Sequence, residues 1–177
     1  MHRLLLSAAL VVAVGLSGCS TVNAPLPRAG TTSGKEPTPP TGDYVQLANP
    51  GDAEQIVLYA YGLLGTGYRF GGRNPEAGLD CSGMVSYIVE QVSGVRLPHN
   101  AAQIAAKTRV IDADSLQPGD LVFFNTLNRP YSHMGIYLGD GKFIHAPSSK
   151  GRVRVERMDN RYFARRFDGA RSLQSDS

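Results

Sequence analysis

The sequence predicts an α+β domain in which helices come first and an antiparallel sheet follows. Three observations predict this order. Apolar residues recur at helical spacing within residues 52–64 and again within 81–92. After Pro118-Gly119 the apolar residues fall instead into short runs of strand length, separated by glycine and polar residues. Before residue 50 neither spacing occurs, so the folded domain is expected to begin there.

Two helices and a short third one are predicted ahead of the sheet. The first covers residues 52–64 and ends at Gly65, a residue type that stops helices. Its inward positions are Ile56, Tyr59, Ala60, Leu63 and Leu64. The second covers residues 81–92 and follows Asp80, a residue type that caps helix starts. Residues 100–106 form at most a short third helix.

About five strands follow the helices, each bounded by turn residues. They are predicted at residues 120–124, 133–138, 142–146, 152–156 and 167–173. Together with the helices they predict one ordinary domain over residues 50–177, with a single core.

The second and third strands carry His133 and His145 and are joined by Gly139-Asp140-Gly141. A three-residue loop with Gly141 in the left-handed conformation pairs Ile136 with Ile144. In that register the two histidines share one face of the hairpin. A two-residue loop would place their imidazoles on opposite faces.

The amino terminus has the three parts of an export signal over residues 1–18. A short basic start precedes an apolar stretch too short to cross a bilayer, which takes about 20 residues. The string Leu16-Ser17-Gly18-Cys19 resembles the lipobox of bacterial lipoproteins, in which the cysteine is acylated and becomes the first mature residue. Ser20 then implies the outer membrane, facing the periplasm. The alternative is a plain secretory signal with a chance cysteine.

Residues 19–49 are rich in Pro, Gly, Thr and Ser and have no apolar period. Such a segment buries too little apolar surface to offset its ordering entropy, and it is interpreted as a disordered, lipid-anchored tether. The net charge of +3 is modest, and nucleic acid is not expected as a partner of an exported lipoprotein. The chain is expected to be a monomer.

Cys81 is the candidate nucleophile. Unpaired N–H groups and the dipole at a helix start stabilise a thiolate, and a neighbouring histidine, as imidazolium, would do the rest. His133 is then the candidate base, and His145 holds it in the correct tautomer. Two alternatives stay open. Cys81 could be a small apolar residue buried at a helix start, or the cysteine and both histidines could bind zinc, although no short-spaced ligand pair is present.

Five short motifs occur in order along the predicted domain. They are Tyr68-Arg69-Phe70-Gly71-Gly72, Leu79-Asp80-Cys81-Ser82-Gly83, Leu116-Gln117-Pro118-Gly119-Asp120-Leu121-Val122-Phe123-Phe124, His133-Met134-Gly135-Ile136-Tyr137 and His145-Ala146. Together they resemble the NlpC-type cell-wall cysteine peptidases, which hydrolyse amide bonds in the peptide stems or cross-links of peptidoglycan. The resemblance implies a papain-like NlpC-type domain, with N-terminal helices packed on a central antiparallel sheet of about five strands.

The same resemblance implies a role for each site residue. Cys81 is the nucleophile, His133 the base and His145 the residue that orients it. Tyr68 helps to stabilise the oxyanion, and its alternative is a half-buried loop aromatic. Asp80 and Ser82 line the substrate groove, although Asp80 could equally be a simple helix cap. Family members often carry arginine after a Leu-Pro pair. Here His99 stands in that place, and no chemistry is assigned to it.

The layout is most similar to the lipoprotein murein DD-endopeptidases of the MepS/Spr type, which cut cross-links between stems. The expected function is therefore a lipid-anchored peptidoglycan endopeptidase that uses no cofactor or metal and is held on the membrane through Cys19. Its alternatives are a hydrolase of the γ-D-glutamyl-diaminopimelate bond within a stem, an amidase, or a catalytically silent wall-binding scaffold lipoprotein.

Overall fold

A computed structural model describes residues 44–148 and 151–175 of the chain. Within them the α+β prediction is confirmed, with helices ahead of an antiparallel sheet. The signal peptide, Cys19 and the tether as far as residue 43 lie outside the described residues. None of the described helices has the length and apolar character needed to cross a membrane.

Four α-helices are present in the described part of the chain. They are α1 (Asp52–Gly62), α2 (Cys81–Ser93), α3 (Ala101–Lys107) and α4 (Arg161–Ala164). A 3₁₀ turn covers Ala113–Ser115. The first three helices agree with the prediction to within a few residues. The one-turn helix α4 was not predicted, because four residues are too few to show a helical period.

Two antiparallel sheets complete the fold. A small one pairs β1 (Arg73–Asn74) with β2 (Gly78–Leu79). The main sheet contains β3 (Arg109–Ile111), β4 (Leu121–Phe124), β5 (His133–Gly139), β6 (Lys142–His145), β7 (Arg154–Arg157) and β8 (Phe167–Ser172), in the spatial order β3-β8-β4-β5-β6-β7. About five strands were predicted. The sixth is β3, whose three residues at the sheet edge are too short to show an alternating pattern.

The core has two parts. The main one lies between the sheet and the helices and contains Ile56, Met84, Ile88, Phe123, Ile136 and Ile144, all fully buried. A smaller aromatic cluster joins Phe124 and Phe143 to Phe163 of α4, with ring centroids 4.8 to 5.1 Å apart. We call this second group the aromatic cluster. It matters for function because both histidines contact it.

Residues 44–49 belong to the domain rather than to the tether. The N–H of Val45 donates to the carbonyl of Lys107 at 2.9 Å, and the N–H of Leu47 donates to Leu173 at 2.7 Å. The side chain of Leu47 is buried in the main core. The predicted boundary at residue 50 is therefore too late, because these two apolar side chains were too few to show a period.

The β5–β6 hairpin has the predicted register but reaches it differently. Ile136 pairs with Ile144 and Tyr137 with Phe143, as expected. The turn, however, has two residues, Asp140 and Gly141, both with positive φ as a type I′ turn requires. A register shift between Tyr137 and Gly139 adds one residue on β5 and compensates for the shorter turn.

The start of α2 lies directly against the backbone of the 68–72 loop. A Cβ atom at Gly83, in the first turn of the helix, would overlap the carbonyl oxygen of Gly72. The N–H of Asp80 donates to that same oxygen at 3.2 Å. Glycine at position 83 therefore allows the helix start to approach the loop that carries Tyr68.

Replacing Gly83 with alanine is expected to lower the free energy of unfolding by about 1–3 kcal/mol, because backbone must move to admit the methyl group. Gly62→Ala is the matched control, since Gly62 is also helical and a Cβ there meets nothing within 4 Å. That change should stabilise the domain by about 0.4–1 kcal/mol. Urea denaturation measures both, and equal effects of the two substitutions would contradict the close approach.

Candidate active site

Cys81 is the first residue of α2, and Asp80 caps the helix as predicted. One carboxylate oxygen of Asp80 accepts the N–H of Gly83 at 2.7 Å and the hydroxyl of Ser82 at 3.0 Å. The other oxygen accepts the N–H of Gly71 at 3.0 Å. Asp80 therefore ties the helix start to the loop beside it and fixes the direction of Cys81.

The surroundings of the Cys81 thiol oppose its ionisation, whereas the helix start was expected to stabilise a thiolate. Burial, followed by the negative charge of Asp80, raises the pKa of Cys81 to about 11. Backbone N–H groups of Met134, Ser82 and Cys81 itself act in the opposite direction. They are outweighed because a buried anion loses more hydration than these donors replace. Attack at neutral pH therefore requires a base to remove the thiol proton.

His133 and His145 form a hydrogen-bonded pair. Nε2 of His133 lies 2.7 Å from Nδ1 of His145, and the two rings are nearly perpendicular. The side chains share one face of the hairpin, as the register predicted. Both are buried, with 5% and 1% of their surfaces exposed. They pack beside Phe163 of the aromatic cluster, with ring centroids 6.4 Å and 5.2 Å away.

The hydrogen bond defines how His133 can act as a base. When Nε2–H of His133 donates to His145, Nδ1 of His133 is left with a free lone pair. The proton of His145 is then on Nε2, a buried atom with no partner among the described residues. Burial and then the positive charge of Arg154 lower the pKa of His133 to about 4, although the negative charge of Asp80 acts in the opposite direction. His133 is therefore neutral at pH 7, as a base must be.

One cavity of about 580 Å³ brings most of the predicted site residues together. Its walls include Tyr68, Asp80, Cys81, Ser82, His99 and His133. The thiol lies near the start of β5, because the backbone N–H of Met134, the residue after His133, is close enough to lower its pKa. His145 does not line this cavity and reaches it through His133. The cavity thus brings Cys81 and His133 together, and His145 is linked to it through its hydrogen bond with His133.

Tyr68 is half-buried beside the nucleophile. Burial and then the charges of Asp80 and Cys81 raise the pKa of its phenol, so the hydroxyl stays protonated and lies near both groups. A neutral phenol in this place is a hydrogen-bond donor available to a developing oxyanion.

His99 is the site residue that the sequence analysis did not assign. Its Nε2 lies 3.0 Å from both carboxylate oxygens of Asp80, and 11% of its side chain is exposed. A carboxylate only accepts hydrogen bonds, so Nε2 carries the proton. The sequence did contain a hint of this contact. His99 follows Leu97-Pro98, where the family resemblance implies arginine, and either side chain can donate to a carboxylate.

Two further predictions concern the zinc alternative and the lipidation of Cys19. The described residues contain no group of three or more His, Cys, Asp or Glu side chains arranged to hold a metal ion. The zinc alternative therefore has no ligand set within them. Cys19, the predicted lipidation site, lies outside the described residues.

Comparison with known families agrees with the motifs. The model of the NlpC/P60 family matches residues 65–172, which is more than half of the chain. The chain belongs to the NlpC/P60 family. The match spans the loop with Tyr68, the start of α2 and both histidine strands.

Curated relatives carry the names of hydrolases and endopeptidases. The chain is 37% identical to the gamma-DL-glutamyl hydrolase of Bacillus subtilis over 72% of its own length and 31% of the relative. It is 35% identical to the murein DD-endopeptidase MepH of Escherichia coli, over 63% and 42%. It therefore spans less than half of these two relatives. The probable endopeptidase NlpC of Escherichia coli is 35% identical over 165 residues, 93% of this chain and 96% of that protein.

A solved structure of the family has the same fold. The NlpC/p60 domain of peptidoglycan hydrolase SagA is 32% identical, with a TM-score of 0.60, over 68% of this chain and 97% of that one. The predicted NlpC-type fold is confirmed by this likeness. The prediction of a peptidase-type enzyme agrees with the names of these NlpC/P60 proteins.

The raised pKa of the Cys81 thiol predicts how its reactivity depends on pH. The rate of Cys81 alkylation by iodoacetamide should rise about tenfold per pH unit from pH 7 upward, since only the thiolate reacts. Asp80→Asn keeps a capping side chain but removes the charge that raises the pKa of Cys81, so its profile should shift to lower pH. Peptide mass spectrometry separates Cys81 from Cys19.

Asp112→Asn is the control for that experiment, because Asp112 is exposed and is not part of the site. Its profile should match that of the wild type. A wild-type rate that is already constant at pH 7 would mean that a thiolate–imidazolium pair exists at rest.

Proposed function

We propose that this protein is a peptidoglycan endopeptidase that hydrolyses amide bonds in the peptide cross-links of the cell wall. The observation that carries the proposal is the cavity lined by both Cys81 and His133, with His133 hydrogen-bonded to His145 behind it. Family membership supplies the substrate class, because the relatives are named for cell-wall hydrolysis.

The proposed reaction begins with proton transfer. Nδ1 of His133 takes the proton of Cys81 as the sulfur attacks the carbonyl carbon of the scissile amide. His145 accepts the hydrogen bond of His133 Nε2–H and stabilises the imidazolium that forms. Tyr68 and backbone N–H groups near Cys81 stabilise the oxyanion. The imidazolium then protonates the leaving amine, and water hydrolyses the acyl-enzyme with His133 again as base.

Two relatives support different scissile bonds. The match to murein DD-endopeptidase MepH favours a cross-link between two stems. The match to gamma-DL-glutamyl hydrolase favours the γ-D-glutamyl bond within a stem, and this is the second candidate. Both use the same acyl-enzyme chemistry, so the products of digestion distinguish them.

Digestion of purified cross-linked muropeptides should convert dimers into monomers with intact stems, as product masses will show. Cys81→Ala should reduce kcat on the order of 10⁶-fold, the scale seen when a catalytic triad loses its nucleophile. Its thermal midpoint should remain close to that of the wild type, because the substitution removes one sulfur atom at a cavity wall.

Each other outcome has a definite meaning. Shortened stems would favour the γ-D-glutamyl bond. Wild-type activity in Cys81→Ala would refute the nucleophile, and inhibition by chelators would revive the metal alternative. A wild-type protein that binds muropeptides without cleaving them would favour the scaffold alternative.

We further propose that Cys19 carries the lipid that anchors this enzyme to the outer membrane, facing the periplasm. The string Leu16-Ser17-Gly18-Cys19 supports the acylation and Ser20 supports the choice of membrane. Several acyl chains, at about 0.8 kcal/mol per buried methylene, hold a protein durably on a membrane. The residues between Cys19 and the described domain would then act as a tether that carries the active site to the wall.

Cys19→Ala should abolish incorporation of labelled palmitate and release the protein into the soluble envelope fraction, because it removes the acceptor thiol. Cys81→Ala is the matched control and should remain labelled and membrane-bound. Fractionation and fluorography measure both. A wild-type protein that is unlabelled and soluble would refute the anchor without affecting the proposed hydrolysis.

A further inference from the structure

Two cavities meet at His133. The first, of about 580 Å³, contains Cys81. The second, of about 350 Å³, has a wall that includes His133, His145, Arg154, Glu156, Asn160 and Tyr162 but not Cys81. Thr126, His133 and Ser148 line both cavities. His133 therefore lines both cavities, whereas Cys81 lines only the first.

The proposed reaction assigns one half of the substrate to each cavity. The acyl half becomes bonded to Cys81 and must occupy the first cavity. The leaving amine takes its proton from His133, so the leaving half must pass beside this imidazole. The second cavity also borders His133 and, at about 350 Å³, is large enough for a small-molecule fragment.

Arg154 reaches the second cavity because of the strand register. In the β6–β7 pair, Arg154 lies directly opposite His145. Opposed residues on neighbouring antiparallel strands project from the same face. The guanidinium is close enough to lower the pKa of both His145 and His133, after the larger effect of burial. Its side chain is 49% exposed, so a ligand can reach it.

Only one of the three guanidinium nitrogens of Arg154 donates to another described residue. Its Nε donates to Glu156 at 2.8 Å, which fixes the direction of the side chain. The two terminal nitrogens, Nη1 and Nη2, form no hydrogen bond with the described residues. These two nitrogens form the end of the guanidinium that binds a carboxylate through two parallel hydrogen bonds.

We propose that the second cavity is the subsite for the leaving half of the substrate, in which Arg154 binds a carboxylate on the carbon that carries the leaving amine. Any α-amino acid that contributes its α-amine to the scissile bond has a carboxyl group on that same carbon, and this group is a free carboxylate unless it is amidated or forms a further peptide bond. Arg154 would thus select leaving groups with a free carboxylate over those in which it is amidated. The inference rests on the proposed hydrolysis.

The test uses two cross-linked peptides that differ only at this carboxylate, one free and one converted to a carboxamide. With the full-length wild-type protein, kcat/KM should be roughly tenfold higher for the carboxylate, the scale of one charge-assisted contact. Arg154→Gln should reduce that ratio to about one, because a neutral amide binds the two groups similarly. The ratio cancels any general loss of activity caused by the substitution.

Arg157→Gln is the matched control. Arg157 lies on the same strand and also pairs with an acid two residues later, Asp159, but it lines neither cavity. Its ratio should equal that of the wild type. A wild-type ratio near one, or a tenfold ratio that survives in Arg154→Gln, would overturn the subsite while leaving the proposed hydrolysis intact. Failure of the wild type to cleave either peptide would overturn the proposed hydrolysis, and the subsite with it.

Discussion

The carboxylate of Asp80 holds the active site together. It accepts hydrogen bonds from the 68–72 loop at Gly71, from the first turn of α2 at Ser82 and Gly83, and from His99. Three segments thus converge on one side chain, next to Cys81. The same negative charge opposes ionisation of the thiol. Asp80 therefore fixes the position of the nucleophile and at the same time makes its thiol harder to ionise.

The second constraint is the face shared by His133 and His145. It required the chain to combine a two-residue turn with an added residue on β5, since the turn alone would have separated the imidazoles. Phe163 packs beside both imidazoles, which are buried. The small helix α4 therefore contributes to the burial that lowers the pKa of both histidines.

Local patterns in the sequence were sufficient for the first three helices, most of the strands of the main sheet and the pairing of Ile136 with Ile144. They were sufficient for the cap at Asp80 as well, because capping depends on the residue type at one position. The His99–Asp80 contact could not be predicted in this way, because 19 residues separate the partners. The thiol pKa was missed for a related reason. Helix position lowers it, but the burial that raises it comes from elements elsewhere in the chain.

The neutral state of Cys81 also affects how long the enzyme survives. Peroxides and disulfides react with thiolates, and a protonated thiol is a poor target for either. At the proposed location outside the cytoplasm, a cysteine would meet oxidants without the reducing systems of the cytoplasm. In the proposed mechanism the sulfur becomes an anion only when His133 removes its proton during attack. The burial that raises the pKa of Cys81 would then also protect the nucleophile from irreversible oxidation between turnovers.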